Sequence, residues 1–432
     1  MDAHRWCLTA WCSRHEGRWG SMTNSTAPDT TLFEQLTGGP LEGLVVADFG
    51  RVLAGPYCTM LLADLGATVI KVESPRGDET RSWAPPRHED ESTYYLSINR
   101  NKHSVVLDFT DPDDLDLAQR LAARADIVAE NFKPSGLARF GLDYESVRAE
   151  NPEVIYASVS GFGTAGGASL PGYDLLVQAA SGLISLTGPP ETEGYRSGIA
   201  LFDVITGLHT AVGILAALRH RDRTGEGQHL ELNLMMSALS GMVNQTGGYV
   251  LNGEVPGRLG NDHPSIYPYA PFPTADGDIV LAIGNDVQFA ALCSALGLGD
   301  VASDARFATN VARSEHRSLL RPLIVDSLRS RSAEKWFDLM SARGIPCAPI
   351  LDVGAGMAFA ERIGLAPIIE AGTGDRRMRG VRNPISFSRS PVRYDLAPPV
   401  LDGSGDVVRA WLSADADAFA AGDAAHATSA AQ

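Results

Sequence analysis

LVVADFGRVLAGPYCTMLLADLGATVIKVE, residues 44–73, combines two kinds of signal. Residues 44–48 form a short apolar run, the mark of a strand covered on both faces. Gly55 and Pro56 interrupt it. Pro56 suits the first turn of a helix, which carries Met60, Leu61, Leu62 and Leu65 and stops at Gly66. A second apolar run follows at 68–73, completing a βαβ unit. The pattern continues outward. Residues 104–108 are strand-like. Asp111 and Pro112, with Asp114 close behind, open a helix whose stripe is Leu115, Ala118, Leu121 and Ala122. Residues 126–130 and 154–160 read as strands, with 134–150 mostly helical between them. Strands alternating with helices predict an α/β fold around a parallel sheet.

Beyond residue 160 the pattern loosens. A helix over 199–219 ends in the charged turn 219–228. Residues 229–234 alternate in polarity, and an apolar helix runs on to Met242. Residues 250–275 read as a Gly/Pro/Asn-rich loop, 278–282 as a strand and 286–345 as largely helical. The apolar run 199–218 includes Asp203, Thr206, His209 and Thr210, so a buried helix is expected rather than a bilayer span. Residues 1–40 are expected to be a disordered extension and 413–432 a disordered Ala/Asp-rich tail.

The chain has 432 residues, a size for about three domain-sized units. Its net charge of −16 repels phosphate backbones, so nucleic-acid binding is not expected and any anionic ligand needs a local site. The five cysteines, Cys7, Cys12, Cys58, Cys293 and Cys347, are odd in number and scattered, as for reduced thiols in a cytoplasm. Residues 1–21 contain no apolar secretory core. Cys7, Cys12 and His15 lack a fourth ligand, and no metal site is expected.

Gly161-Phe162-Gly163-Thr164-Ala165-Gly166 fits G-x-G-x-x-G after a strand. A dinucleotide site also needs a helix to open there. Gly167, Pro171 and Gly172 preclude one, so this is a glycine loop. The carboxyl ends of the strands say more, since ligands bind at that edge of a parallel sheet. They carry Leu53, Ala54 and Gly55; Ser74, Pro75 and Arg76; Asp108, Phe109 and Thr110; Asn131, Phe132 and Lys133; and Ser160 and Gly161. Arg76, Lys133 and Arg139 are cations suited to phosphates. Three of the four lysines, Lys71, Lys102 and Lys133, fall in this region. Asp174 follows the glycine loop at a helix start. There it either caps the helix or complements its dipole, or it serves as a nucleophile.

Five segments together resemble class III CoA-transferases, the family of formyl-CoA and carnitine CoA-transferases and α-methylacyl-CoA racemase. They are 44–73, 99–108 (NRNKHSVVLD), 125–137 (ADIVAENFKPSGL), 172–188 (GYDLLVQAASGLISLTG) and 213–228 (GILAALRHRDRTGEGQ). The loop 257–268 (GRLGNDHPSIYP) and the tail 383–394 (NPISFSRSPVRY) are also similar. The resemblance runs from about 41 to 412. It implies a large Rossmann-like parallel-sheet domain (41–205, completed by about 360–412), linker helices (206–249), a smaller α+β domain (250–345) and an interlocked homodimer. It implies that Asp174 is the nucleophile. It also implies that Leu53, Ala54, Arg76, Leu107, Asp108, Phe109, Thr110, Asn131, Phe132, Lys133, Arg139, Ser160 and Gly161 hold CoA. Two departures stand out. Leu53 replaces a Gln of formyl-CoA transferases, and Ser74 replaces a phosphate-binding Arg for which Arg76 is a substitute.

The implied activity is transfer of CoA from an acyl-CoA to a free carboxylic acid through an aspartyl anhydride and an aspartyl-CoA thioester. CoA is a substrate, and no tightly bound cofactor, nucleic acid or membrane is expected. The 257–268 loop inclines the reading towards a dicarboxyl-CoA donor such as succinyl-CoA. The alternative is 2-methylacyl-CoA racemisation. That needs an acid and a base on opposite faces of one carbon, and the racemase branch supplies one from a His upstream of the Asp. This chain has no His between His103 and His209.

Overall fold

The computed structural model describes residues 38–414. The first half runs β1 (Val45–Asp48), α1 (Ala54–Asp64), β2 (Thr68–Glu73), β3 (Lys102–Val106), α2 (Pro112–Arg124), β4 (Ile127–Glu130), α3 (Tyr144–Glu150), β5 (Ile155–Ser160), α4 (Asp174–Ala180), α5 (Leu201–Thr224), β6 (Gln228–Asn233), α6 (Leu234–Gly241) and α7 (Val243–Asn252). Six strands form one sheet in the order β3-β2-β1-β4-β5-β6, every pair parallel. The order reverses between β1 and β4, and a crevice opens at such a switch point.

Alternation within the strands divides the core. Val45 and Ala47 face a cluster with Ala118, Leu121 and Ala122 of α2 and with Val408 and Leu412 near the C-terminus. Val46, Val69 and Ile155 face the other side, under Leu62 of α1 and Ala211, Ile214 and Leu218 of α5. Helix α5 is long and apolar enough to cross a bilayer, and here it packs on the sheet. The α2 start is as expected. Asp111 accepts from the amides of Asp113 and Asp114, and Pro112 takes the first turn.

The C-terminal segment returns to this sheet. Asp402 accepts from the Val106 amide at 2.7 Å, and the helix Gly405–Ala414 follows. Asp64 is a buried anchor for the return. It accepts from the Arg100 guanidinium, Asn101 Nδ2 at 2.8 Å and Asn383 Nδ2 at 3.0 Å. A separate antiparallel sheet, β7 (Tyr269–Pro273), β8 (Asp278–Ala282) and β9 (Cys347–Pro349), packs with helices around Phe272, Leu281, Leu320 and Trp336.

One expectation changes. Residues 206–249 are not linker helices, because they contain most of α5, which covers one sheet face, and all of β6, an edge strand. Residues 134–150 are helical over a short 3₁₀ turn, Ala138–Phe140, and α3, with left-handed Ser135 (φ 63°) and Gly141 (φ 63°) dividing the run. Lys71 and Lys102 have fully buried side chains, whereas Lys133 is exposed. The Cys7, Cys12 and His15 group, the 1–37 part of the extension and the tail after 414 lie outside the described residues.

Candidate active site

The carboxyl ends of β1 to β4 enclose a cleft lined by Phe49, Arg51, Leu107, Phe109 and Phe132. Phe109 packs edge-on to Phe49 at 6.1 Å and to Phe140 at 5.3 Å. The Arg51 guanidinium lies over Phe132, 4.7 Å from the ring centre. Arg76, Lys133 and Arg139 are exposed. The cleft thus offers aromatic faces, and the strand ends around it carry cations.

The loop between β1 and α1 borders this cleft and is held from beneath. Lys71 Nζ donates to the Gly50 carbonyl at 2.8 Å and to Asp78 at 2.9 Å. Asp48 accepts from the Gly50 amide, from the Thr59 hydroxyl at 2.7 Å and from Lys102 at 3.0 Å. Burial alone would raise the Asp48 carboxyl, but Lys102 and Lys71 outweigh it and hold it below the ordinary range. Burial brings Lys102 down to about 8 despite Asp48. Asn131 clamps Arg51, accepting from its amide at 2.8 Å and donating to its carbonyl at 2.6 Å. Val52 takes φ 66°, a conformation costly for a β-branched residue. It persists because the surrounding bonds over-determine the loop.

The expected CoA residues divide into groups. Leu107, Phe109 and Phe132 line the cleft. Leu53 stands at the N-cap of α1 and Ala54 begins it, both buried. Asn131 serves the loop. Asp108 is turned inward on its own turn, accepting from the Thr110 amide at 2.9 Å and hydroxyl at 2.8 Å. Ser160 likewise donates to the Leu232 carbonyl and accepts from the Gly163 amide. Gly161 has a steric role, since a Cβ there would lie 2.3 Å from Gly172 Cα. The two glycines let the loop close on itself and bring Asp174 back to the end of β5.

Asp174 is buried in the first turn of α4, and Tyr173 holds the N-cap position. The carboxylate reaches a different helix. The N-cap of α5, Ala200, has no capping side chain. Asp174 Oδ1 accepts the Phe202 amide at 2.7 Å and the Asp203 amide at 3.1 Å. Two of the orphan donors of α5 are thereby satisfied from 28 and 29 residues earlier in the chain. Asp174 Oδ2 accepts from the Gln178 side-chain amide, which also donates to the Ile199 carbonyl and accepts the Ser197 amide at 2.8 Å. One oxygen of Asp174 thus rests on fixed backbone donors, and the other on a single side chain with rotatable bonds.

Beside it stands Asp203, also in the first turn of α5. Among the described residues no donor is bonded to its carboxylate. Burial first, and the Asp174 charge second, push its carboxyl up to about 7. Tyr94, half-buried on the short helix Thr93–Ser97, feels both carboxylates; burial first and then Asp203, Asp174 and Asp78 hold its hydroxyl protonated up to about 12. Gly207, one turn after Asp203, lies close to α1, where an added Cβ would sit 2.8 Å from the Ala54 carbonyl. Ala54 also packs with Val177 of α4 and Phe202 of α5. The carboxylate pair and the aromatic cleft therefore flank the same β1–α1 segment. The sequence reading missed Asp203, Tyr94 and Arg51 as site residues. The available signal for Asp203 was an acid in the first turn of a long apolar helix. Among the described residues no His/Cys/Asp/Glu group is arranged to hold a metal.

The sequence profile of CoA-transferase family III matches residues 41–404. The chain is 44% identical over 377 residues to a succinate–glutarate CoA-transferase of Agrobacterium fabrum, covering 84% of this chain and 93% of that one. It is 36% identical over 380 residues to an acetyl-CoA:oxalate CoA-transferase of Acetobacter aceti, covering 87% and 96%. Among solved structures, a CAIB/BAIF family protein from Brucella suis matches with a TM-score of 0.79 and 40% identity, over 87% of this chain and 100% of that one.

Proposed function

The chain belongs to CoA-transferase family III and is an enzyme of that type, and on that premise we propose that it moves CoA from a dicarboxyl-CoA such as succinyl-CoA to a dicarboxylic acid such as glutarate, by acylation of Asp174. Both sides of this exchange are a thioester and a carboxylate, so it needs no ATP. The Asp174 carboxylate attacks the thioester carbonyl, a C–O bond forms, the C–S bond breaks, and CoA leaves as thiolate. The thiolate then attacks the aspartyl carbonyl, releasing the donor acid and leaving an aspartyl-CoA thioester. The acceptor carboxylate repeats the steps in reverse. The aromatic cleft takes the nucleobase, Arg76, Lys133 and Arg139 take phosphates, and residues 53–54 run between the cleft and the reacting acid. Water must be excluded from the anhydride. The 257–260 loop is suited to exclude it, because the Gly260 amide donates to the Gly188 carbonyl at 3.1 Å and Arg258 donates to the Thr192 carbonyl at 3.0 Å.

One observation carries the choice of nucleophile. Asp174 Oδ1 sits on the Phe202 and Asp203 amides at the start of α5. Those donors suit both halves of the reaction. They orient the carboxylate for attack through Oδ2, once Gln178 turns aside. After acylation Oδ1 becomes the aspartyl carbonyl oxygen, and the same two amides stabilise the negative charge that develops on it when thiolate attacks. Asp203 has no such donors. Trypsin places the two acids in separate peptides, 149–196 and 197–219. Enzyme incubated with succinyl-CoA and then hydroxylamine should carry its hydroxamate on 149–196. A hydroxamate on 197–219 moves the role to Asp203, and none on either removes the aspartyl intermediate. Racemisation is not favoured, since the relatives above are CoA-transferases. Incubation of 2-methylacyl-CoA in heavy water should leave it unlabelled.

The two-lobed division (41–205 with about 360–412, against 250–345) and an interlocked homodimer belong to the same proposal. Their support is an apolar surface on α5 and α7 that this chain leaves open, with Val212 66%, Val250 78% and Leu251 82% exposed. A stable folded monomer at nanomolar concentration in sedimentation would sink the dimer.

A further inference from the structure

We propose that Asp203 is a positioning residue for Asp174: its carboxylate is held beside the nucleophile with no donor of its own among the described residues, and acylation of Asp174 relieves the repulsion between them. The inference rests on the reading of Asp174 as nucleophile and adds a role for its neighbour.

The geometry comes first. Asp174 accepts the backbone amide of Asp203 itself, at 3.1 Å, and that of Phe202, at 2.7 Å. The residue that bears the unpartnered carboxylate is thus held by the carboxylate that opposes it. Gln178 fixes the other oxygen of Asp174 and, through Ser197 and Ile199, the chain leading into α5. The two acids cannot drift apart without breaking the Oδ1 bonds to the α5 amides, which persist when Gln178 turns aside. A capping side chain at position 200 would satisfy the same amides and leave Asp174 free to move away. That position holds Ala200, which has none.

The groups facing Asp203 are Asp174 from α4 and Tyr94 from the helix Thr93–Ser97, and no cation contributes to its titration. Two carboxylates this close in a partly buried site repel, which raises the free energy of the doubly ionised pair. On attack the charge leaves Asp174 and goes out on sulfur as CoA thiolate. The acylated Asp174 is neutral, and Asp203 then faces an uncharged neighbour. The forward step is favoured by the repulsion it removes, and Asp203 need not touch the substrate. The effect is present only while Asp203 is ionised, so it carries a pH signature of its own.

The test is Asp203→Asn in the intact full-length enzyme, mixed with succinyl-CoA in single turnovers across pH without acceptor acid. In the wild type the rate of aspartyl acylation should rise on the order of tenfold as pH passes through about 7, where Asp203 loses its proton. In the variant this limb should vanish, with the two enzymes converging at pH 5.5 and the half-saturating succinyl-CoA concentration little changed. Asp203→Glu should restore part of the limb. A variant that keeps the limb, or whose activity falls by the same factor at every pH, overturns the proposal. Should the Asn variant not fold, an infrared titration of the wild type decides. A buried protonated-carboxyl band that is present at pH 6, gone by pH 8 and moved to lower pH in Asp174→Asn supports the pair; its absence at pH 6, or an unchanged titration in Asp174→Asn, refutes it. A hydroxamate on 197–219 would instead mark failure of the nucleophile reading, so the two failures are distinguishable.

Discussion

Replacing Asp203 by Asn should stabilise the protein, by an amount that grows with pH. The Asp203 carboxyl lies at about 7 when folded, against 3.8 for an unperturbed Asp. That is about three units, and each unit corresponds to ~1.4 kcal/mol. Between these two values the folded protein binds the proton and the unfolded chain does not. Stability is therefore lost as pH rises through this window and levels off above about 7. Asn carries no such linkage. Its advantage should be small at pH 4, about 2 kcal/mol at pH 5.5 and about 4 kcal/mol at pH 8 as an upper bound. Urea midpoints of wild type and variant, measured at one protein concentration at pH 5.5 and 8, give the comparison. A variant that is equally or less stable at pH 8, or whose advantage is the same at both pH values, refutes the strained pair.

The nucleophile, the loop and the anchors make further predictions. Asp174→Asn should abolish transfer while CoA binding and the fold persist, because an amide accepts the α5 amides as a carboxylate does but cannot form the anhydride; an active Asn variant removes Asp174 from the chemistry. Asn131→Ala frees Arg51 from two hydrogen bonds and should weaken CoA binding roughly tenfold in calorimetric titration, with little change in melting. Arg139→Ala should weaken CoA by roughly 1.5–3 kcal/mol if its charge meets phosphate; an unchanged dissociation constant removes it from the site. Asp64→Ala strands the buried Arg100 guanidinium and should cost about 3–5 kcal/mol in urea unfolding, with no direct effect on the chemistry of any enzyme that remains folded.

The sheet was legible because its central strands are covered on both faces. Val45–Asp48, Thr68–Glu73 and Ile127–Glu130 are largely apolar runs for that reason, and the charged exceptions Asp48, Lys71 and Glu73 pair with Lys102, Asp78 and Arg81 respectively. β6 was not legible as part of this sheet. It is an edge strand of half-buried residues, and its alternation says strand without saying where it pairs. The cleft was partly legible from small and aromatic residues at strand ends. Asp174 stood out by its place after the glycine loop, but its pairing with Asp203 did not. That contact is made by tertiary packing of one helix start against another, and nothing local distinguishes an acid that caps from an acid that is left free. Arg51 was hidden for a similar reason, since its approach to Phe132 depends on the conformation that Asn131 imposes.

Gln178 grips the chain at Ser197 and Ile199, so the stretch 181–196 is a span between two fixed points. Changes of length or sequence within it need not disturb the helix starts on either side. A scaffold built this way can diverge in which acid it accepts while inheriting its reactive centre intact. Similar proteins are named for glutarate and for oxalate. With Gln178 holding both ends, the span can be rewritten while the two helix starts keep their bonds to Asp174.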